Sequence, residues 1–367
     1  MNDLRRKFEA FRTDIEPALG EVLSSGIFLN GPFSKLFASV FAESVGGVKS
    51  VLVANGTDAL ELALRSVFLA RPSDAREVVS VANAGGYTTI ACHQVGLIPV
   101  FADIDPNTLL MSIPSTLASL TKQTAAIVVT HLYGNVFDVP TLRLALETAG
   151  FRHVAIIEDC AQAHGAKLGE ECVGSMGDVA TFSFYPTKNL GAFGDAGAVV
   201  SADPDILAIA NQLHQYGWSS KYCIDTPGGR NSRIDEMQAA ILCQFLPRLI
   251  EGNKRRRQIT SRYSNQAAYS LRFLKIGSGS VAHLAVALTA DRLAFRKFMA
   301  EQGIATDIHY PILDCDQLRW QGRPMRVGPT GLAASRRATS LIVSLPCFPE
   351  MTEEEVELVC DALADWK

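Results

Sequence analysis

The sequence lacks the patterns by which several classes of protein are known. Its 367 residues contain no apolar run approaching the roughly 18–20 residues that span a bilayer, and its first residues are charged, unlike a signal peptide. Basic residues (34) and acidic residues (38) leave a net charge of −4, so no basic field favours nucleic acid or an anionic membrane. We therefore expect a soluble, cytoplasmic protein without nucleic-acid or membrane partners.

Clusters of metal ligands and paired cysteines are also missing. The eight cysteines include no Cys-x-x-Cys pair, and the seven histidines include no His-Glu-x-x-His spacing. We expect free thiols in a reducing compartment and no structural or catalytic metal.

Common nucleotide-binding and hydrolase motifs are missing as well. The glycines of segment 191–197 precede a strand, and they lack the Gly-x-Gly-x-x-Gly spacing of a dinucleotide site. No P-loop and no Gly-x-Ser-x-Gly turn occurs. These absences disfavour nicotinamide, P-loop and serine-hydrolase chemistry.

Apolar, β-branched segments alternate with helical patterns over the first three-quarters of the chain. The predicted strands are 48–54, 77–81, 98–104, 125–131, 154–159, 179–185 and 196–201, and the helices between them include 57–70, 140–150 and 205–216. Segments such as 125–130 are apolar at nearly every position, which is typical of strands covered on both faces. The pattern predicts an α/β fold with a mostly parallel seven-stranded sheet between helices.

The pattern changes after about residue 228. A long helical stretch covers 235–268, followed by a strand-like segment at 281–290 and helices at 291–303 and 352–365, the last with a capping box of Thr352 and Glu355. We interpret the basic run 254–257 as a solvated helix face rather than a nucleic-acid patch. The predicted domains are a large one at 1–245, with an N-terminal helix, and a small α+β one at 246–367.

Two predicted strands lead into side chains that suit one cofactor. Strand 154–159 terminates in Asp159, and strand 179–185 runs into Lys188, at the sheet edge where α/β proteins bind ligands. A carboxylate that keeps a pyridine nitrogen protonated, with a lysine that can form a Schiff base, is what pyridoxal phosphate requires of a protein. Burial or nearby cations would lower the pKa of this lysine toward neutrality.

A candidate phosphate site precedes them in the chain. Segment 55–58 (Asn-Gly-Thr-Asp) follows a strand and opens a helix, so its backbone N–H groups and the Thr57 hydroxyl are candidate phosphate ligands. Each feature also has an ordinary interpretation: Asp159 as a turn residue, Lys188 as a surface charge, and 55–58 as a helix cap. The combination favours the cofactor site.

Six segments, in order along the chain, carry a resemblance to a known family. They are 55–60 (NGTDAL), 158–166 (EDCAQAHGA), 182–191 (FSFYPTKNLG), 194–197 (GDAG), 231–240 (NSRIDEMQAA) and 309–311 (HYP). They resemble the nucleotide-sugar aminotransferases of the DegT/DnrJ/EryC1/StrS family over nearly the whole chain. The resemblance implies the aspartate-aminotransferase-like, fold-type-I architecture, with pyridoxal 5'-phosphate as cofactor and pyridoxamine phosphate as its half-reaction form.

The resemblance also implies a role for each matching residue. Lys188 is the Schiff-base lysine and proton carrier, Asp159 pairs with the pyridine nitrogen, and Gln162 contacts the ring 3-hydroxyl. The other implied residues are Gly56, Thr57 and Ser183 for the cofactor phosphate, Asn231 for the phosphate of the neighbouring subunit's cofactor, and His309, Tyr310, Tyr87 and Arg233 for the substrate. The role of Asn231 implies a homodimer with shared active sites.

The implied reaction moves an amino group from L-glutamate to a keto group of a nucleotide-linked keto-6-deoxyhexose, commonly a dTDP sugar, and releases 2-oxoglutarate. Segments 215–222 and 228–233 resemble the branch that acts at sugar carbon 3, with a 4-keto sugar as the alternative. The family's sugar dehydratases replace the lysine with histidine, so Lys188 disfavours that activity. A non-catalytic regulatory relative is a further alternative, against which the intact set of Lys188, Asp159 and Gln162 argues.

The chain departs from the family pattern at two places. The family usually has an aromatic residue stacked on the cofactor ring, but glycine falls near that position at Gly85, and Tyr87 is the candidate replacement. Segment 314–316 (Asp-Cys-Asp) stands where the family often has a histidine, so one substrate contact differs.

Overall fold

The computed structural model describes residues 2–367. Its helices are α1 (Leu4–Ser25), α2 (Pro32–Ser44), α3 (Gly56–Ala70), α4 (Tyr87–Val95), α5 (Ile113–Ser119), α6 (Val139–Thr148), α7 (Pro204–Leu213), α8 (Glu236–Phe245), α9 (Leu249–Gln266), α10 (Arg292–Glu301), α11 (Ala333–Leu341) and α12 (Glu353–Asp365). Its strands are β1 (Lys49–Val53), β2 (Glu77–Val81), β3 (Ile98–Ala102), β4 (Thr124–Thr130), β5 (Ala155–Asp159), β6 (Lys167–Leu168), β7 (Glu171–Cys172), β8 (Val179–Ser183), β9 (Gly197–Ser201), β10 (Trp218–Ser220), β11 (Cys223–Ile224), β12 (Arg272–Phe273), β13 (Ala285–Leu288), β14 (Arg326–Val327) and β15 (Ile342–Leu345).

The large sheet has the strand order β1-β9-β8-β5-β4-β2-β3-β14. Only β9 pairs antiparallel with its neighbours, and the other pairings are parallel. The predicted seven-stranded, mostly parallel sheet is therefore confirmed. An eighth strand of two residues, β14, comes from the C-terminal part of the chain and extends the sheet edge at β3.

Both faces of this sheet are covered, as the apolar runs predict. Along β4, Ala126 and Val128 pack in one hydrophobic cluster with α3, whereas Ile127 and Val129 pack in another with α6. A strand that buries alternate residues in opposite layers needs apolar side chains at every position. The carboxyl ends of the parallel strands are thereby fixed along one edge.

The long helical stretch at 235–268 contains a break. Helices α8 and α9 are separated by a 3₁₀ turn, Leu246–Arg248, which contains Pro247. Proline lacks the N–H that an α-helix needs and crowds the preceding turn. The segment is therefore two successive helices, and α9 turns toward the C-terminal part of the chain.

The C-terminal part has its own small sheet, of order β12-β13-β15. Its core joins Phe295 of α10, Tyr263 of α9 and Val356 of α12. The predicted capping box is present, with the Glu355 N–H donating to the Thr352 hydroxyl. The division into domains at residues 245 and 246 stays a prediction.

No helix within residues 2–367 combines the length and apolarity that crossing a membrane requires.

Candidate active site

The site forms where β5 and β8 end beside the start of α3. The two strands are parallel neighbours, with Asp159 opposite Thr181, so Asp159 and Ser183 emerge at the same edge. A Cβ at residue 56 would lie 2.5 Å from the Ser183 Cβ. Glycine at position 56 therefore lets the helix begin directly against the end of β8.

A cavity of about 650 Å³ opens at this edge. The predicted residues that line it are Gly56, Thr57, Tyr87, Asp159, Gln162, Ser183, Lys188, His309 and Tyr310. The structure thus joins residues from distant parts of the sequence in one cavity of the size that small-molecule sites have.

Lys188 lies in this cavity on the loop after β8, and its N–H donates to the Tyr185 carbonyl. Burial lowers the pKa of Lys188 to about 8, although the charge of Asp159 opposes the shift. Because desolvation disfavours an ammonium ion, a substantial fraction of the amine is neutral near physiological pH. Such an amine can act as a nucleophile and accept a proton.

Asp159 lines the same cavity and is buried, with 5% of its surface exposed. It accepts hydrogen bonds from the Ala161 N–H (3.1 Å) and the Thr130 hydroxyl (3.3 Å). Burial raises the pKa of Asp159, and the Ala161 N–H and Lys188 only partly oppose the shift. A cationic group bound next to Asp159 in the cavity would therefore stabilise the charged form of this carboxylate.

Gln162 is held between two tyrosines. Its Oε1 accepts from the Tyr133 N–H (2.7 Å), and its Nε2 donates to the Tyr310 hydroxyl (3.1 Å). The Tyr133 hydroxyl donates to the His309 carbonyl (2.6 Å). These bonds fix the amide and position the 309–310 segment over the cavity.

The glycine at the expected stacking position has a direct structural cause. Gly85 has φ +87°, and a Cβ there would lie 2.9 Å from the ring of Tyr310. The ring of Tyr310 therefore occupies the space beside Gly85. Tyr87 meets Tyr310 edge to face at 6.2 Å and is 44% exposed at the cavity mouth.

His309 contributes a second polar group to this wall. Its Nδ1 lies 2.9 Å from the Ser344 hydroxyl, and its Nε2 lies 3.8 Å from a carboxylate oxygen of Asp307. Burial lowers the pKa of His309, while Asp307 opposes the shift. The neutral ring can donate or accept a hydrogen bond toward the cavity.

A buried histidine–carboxylate pair supports the end of β5. Burial alone would raise the pKa of Glu158, but hydrogen bonds from His131 and the N–H groups of Gly174 and Gly177 hold it below its usual value. Cys160 lies close to this pair. The other ring nitrogen of His131 accepts from the Phe137 N–H (3.0 Å), so the pair's polar atoms are engaged within the protein.

Asn231 and Arg233 do not line the cavity of their own chain. Arg233 donates to the Asn231 side chain (2.9 Å) at the surface. Their implied roles, including the reach of Asn231 toward a neighbouring subunit, stay predictions.

Three residues that the sequence analysis missed belong to the site. Asn189 bonds the ring of His283 (2.9 Å), and the His283 carbonyl accepts from Arg256. Both His283 and Arg256 line the cavity. The interpretation of the run 254–257 as a solvated helix face is right for Lys254, which is exposed, and wrong for Arg256, which is 4% exposed. The reason is that every third or fourth position of α9 faces the protein interior.

The segment 314–316, which departs from the family pattern, places a buried acid beneath the Gly85–Gly86 loop. Asp314 accepts from the Thr89 hydroxyl (2.6 Å), and its N–H donates to the Ala82 carbonyl (2.9 Å). Its second oxygen has no hydrogen-bond partner among residues 2–367. Burial raises the pKa of Asp314 to about 7.

We expect Asp314→Asn to stabilise the fold at alkaline pH. The folded state binds this proton up to about pH 7, whereas the unfolded state releases it near 3.9, so the free energy of unfolding falls as pH rises between these values. The variant should gain up to about 4 kcal/mol at pH 8, at about 1.36 kcal/mol per pKa unit, and much less at pH 5. Urea unfolding at both pH values measures the difference.

Asp316→Asn is the matched control, because Asp316 is an exposed partner of Arg336. An equal effect of Asp314→Asn at pH 5 and pH 8 would contradict a raised pKa at Asp314.

The cavity's donor set fits pyridoxal phosphate. The first N–H groups of α3, with the hydroxyls of Thr57 and Ser183, form an anion site at a helix N-terminus. Asp159 offers a buried carboxylate for a protonated ring nitrogen, and Lys188 an amine of lowered pKa. Each group of the cofactor therefore has a complementary group in the cavity.

Comparison with known proteins identifies the family of this chain. The model of the DegT/DnrJ/EryC1/StrS aminotransferase family matches residues 10–364. The chain is 37% identical over 367 residues to the dTDP-3-amino-3,6-dideoxy-alpha-D-galactopyranose transaminase of Aneurinibacillus thermoaerophilus, covering 98% of this chain and 97% of the relative. It is 32% identical over 372 residues to a pleiotropic regulatory protein of Geobacillus stearothermophilus, covering 100% and 98%.

A solved structure of the same architecture contains a reaction intermediate. The crystal structure of S. venezuelae DesV in complex with a ketimine intermediate superposes with a TM-score of 0.92 at 33% identity, covering 99% of this chain and 97% of that one. The predicted fold-type-I architecture is thereby confirmed. Since the family model spans nearly the whole chain, the protein belongs to the DegT/DnrJ/EryC1/StrS aminotransferase family, whose aminotransferases depend on pyridoxal phosphate.

Proposed function

We propose that this protein transfers the amino group of L-glutamate to carbon 3 of a dTDP-linked keto-6-deoxyhexose. The observation that carries the proposal is the convergence of Lys188, Asp159 and Gln162 on one cavity. The chain in which they converge is 37% identical to a transaminase whose name specifies a dTDP-3-amino-3,6-dideoxy sugar. The products are the 3-amino sugar nucleotide and 2-oxoglutarate.

The protein's own groups would orient the cofactor from three sides. The start of α3 and Ser183 bind its phosphate, Asp159 its ring nitrogen, and Gln162 its ring hydroxyl. When bound, pyridoxal phosphate supplies an electron sink for the carbon that loses a proton. The negative charge of Asp159 keeps the ring nitrogen protonated.

Lys188 would carry the proton. Its pKa of about 8 lies close to physiological pH, where a general base and acid works best. The neutral amine would accept the proton from the α-carbon of the donor, and the resulting ammonium would return it two bonds further along, on the far side of the donor nitrogen. In the second half of the reaction Lys188 performs the same transfers in reverse.

The sugar side would lie against the aromatic wall. Tyr310, Tyr87 and His309 line one part of the cavity, where the Tyr310 hydroxyl accepts from Gln162. Tyr87 is 44% exposed, so its ring is available to a large ligand that enters from solvent. Hydroxyl and imidazole groups suit the many hydrogen-bonding groups of a sugar.

The working unit in this proposal is a homodimer with shared sites. The exposed apolar residues Ile27, Phe28 and Leu29 lie beside the Asn231 segment, since Leu29 forms a bridge with Asp235 and the Phe28 carbonyl accepts from the Glu236 N–H. A contiguous apolar surface of this kind is typical of an interface.

Subunit mixing tests the shared site. Lys188→Ala and Asn231→Ala homodimers should both be impaired, whereas co-expressed chains should form heterodimers with one intact site and recover up to about half of the activity per heterodimer. Light scattering measures the mass of each sample. A monomer, or no recovery in the mixture, would contradict the shared site.

Matched pairs of keto sugars test the reaction itself. The purified enzyme receives L-glutamate with the dTDP-linked 3-keto or 4-keto form of one 6-deoxyhexose, and 2-oxoglutarate release is measured. We expect kcat/KM for the 3-keto form to be at least about 100-fold higher, since a displaced carbonyl misses the reacting geometry. A UDP-linked form of the same 3-keto sugar tests whether the enzyme prefers dTDP as the nucleotide.

Preference for the 4-keto sugar would replace the proposed position with the alternative. Cofactor binding without release of 2-oxoglutarate from L-glutamate, whichever keto sugar is supplied, would favour a non-catalytic relative, in line with the name of the Geobacillus protein.

A further inference from the structure

Arg256 is a buried cation at the wall of the active-site cavity. Only 4% of its surface is exposed, and it lines the same cavity as Lys188 and Asp159. Its Nη1 donates to the carbonyl oxygens of His283 (3.2 Å) and Cys347 (2.5 Å). A guanidinium has five N–H donors, so these two bonds leave further donors for the cavity.

This cation has no carboxylate partner within ion-pair distance among residues 2–367. Its neighbour on α9, Arg255, instead pairs with Glu353 at 2.7 Å. Burial lowers the pKa of Arg256, and Glu350 opposes the shift at longer range. A buried charge without a close partner is costly, so the site favours an anionic ligand.

Hydrogen bonds connect Arg256 to the catalytic loop. The carbonyl of His283 accepts from Arg256, and the ring of His283 bonds the side chain of Asn189, which follows Lys188 in sequence. Burial lowers the pKa of His283 well below its usual value, so the imidazole between the two cations is neutral. The guanidinium is therefore held on the lysine side of the cavity.

Three anions enter this cavity in the proposed reaction. The cofactor phosphate has its own candidate donors at the start of α3 and Ser183, and the nucleotide diphosphate belongs to a much larger ligand. A donor carboxylate is small, and its two oxygens match the fork of a guanidinium. We propose that Arg256 binds a carboxylate of the amino-acid donor, an inference that rests on the proposed transaminase function.

Separate half-reactions test this role. In the first, cofactor-loaded protein is titrated with L-glutamate and the change in cofactor absorbance is followed. In the second, protein loaded with pyridoxamine phosphate receives the keto sugar without glutamate. Calorimetry with glutarate, a dicarboxylate without an amine, measures carboxylate binding directly.

Arg256→Gln should raise the glutamate concentration for half-maximal conversion by about 100-fold, as the loss of two charge-assisted hydrogen bonds implies. Arg256→Lys keeps the charge without the fork and should raise it by about 10-fold. Glutarate binding should weaken in the same order. The sugar half-reaction should stay within about 3-fold of the unmodified protein, since its substrate lacks the donor carboxylate.

Arg257→Lys is the matched control, because Arg257 lies on the same helix and donates to the Ser280 carbonyl outside the cavity lining. Equal losses in both half-reactions, or unchanged glutarate binding, would assign Arg256 a structural role and overturn the proposal. A loss confined to the sugar half-reaction would overturn it in favour of the nucleotide diphosphate. If the sugar assignment itself is wrong, the unmodified protein fails only in the second half-reaction, and the glutamate and glutarate titrations still decide the role of Arg256.

Discussion

Lys188→Ala should slow the reaction with L-glutamate by about 10⁴-fold or more. General acid–base catalysis alone contributes about 10²–10⁴-fold, and the substitution also removes the amine that we propose forms the covalent link to the cofactor. The lowered pKa of Lys188, about 8, reflects burial within the cavity, so no solvent-exposed lysine offers an equivalent amine. Single-turnover absorbance changes with glutamate measure the rate.

Lys254→Ala is the control for this variant, because Lys254 is exposed on α9 and should leave the rate within about 2-fold, as surface substitutions usually do. Near-normal conversion by Lys188→Ala would show that another group moves the proton, and the assignment of Lys188 would be wrong.

Asp159→Asn should reduce the same rate by about 10³-fold. Asparagine keeps the shape of the side chain, but it cannot carry the negative charge that we propose holds the cofactor nitrogen protonated. A close opposite charge in a buried site shifts a pKa by about 1–3 units, and each unit corresponds to about tenfold. The visible absorbance of the bound cofactor and its rate of loss with glutamate report the change.

Thr130→Val separates charge from local packing. The Thr130 hydroxyl donates only a long hydrogen bond (3.3 Å) to Asp159, so we expect less than about a 10-fold loss. If Asp159→Asn and Thr130→Val slowed the reaction equally, the negative charge of Asp159 would not be the cause of the rate loss.

The sheet could be predicted from sequence because the burial of each strand is recorded in that strand's own residues. The strands β4 and β5 are buried on both faces, and such strands are apolar at every position whatever their partners. Asp159 ends β5 and Lys188 lies on the loop after β8, so their proximity follows from the parallel pairing of these two strands. Helix α4 was missed because its first residue follows two glycines of positive φ, Gly85 and Gly86, which interrupt the periodic pattern.

Contacts between distant segments could not be predicted in this way. The ring of Tyr310 fills the space beside Gly85. The two residues are 225 positions apart in sequence, so no local pattern indicates their contact. Arg256 belongs to a run of basic residues whose linear pattern indicates solvent, and only the packing of α9 against Cys347 and His283 reveals its burial. Asn231 and Arg233 lie outside the cavity of one chain, so their proposed roles would require a second subunit.

The most direct test of the account is an absorbance spectrum of the purified protein loaded with pyridoxal phosphate. We predict a visible cofactor band that disappears on addition of L-glutamate and returns on addition of the dTDP-linked 3-keto-6-deoxyhexose, since the two half-reactions convert the cofactor and restore it. The Lys188→Ala protein should show neither change. A protein that acquires no cofactor band, or whose band does not respond to glutamate, would contradict the assignment of this cavity as a transaminase site.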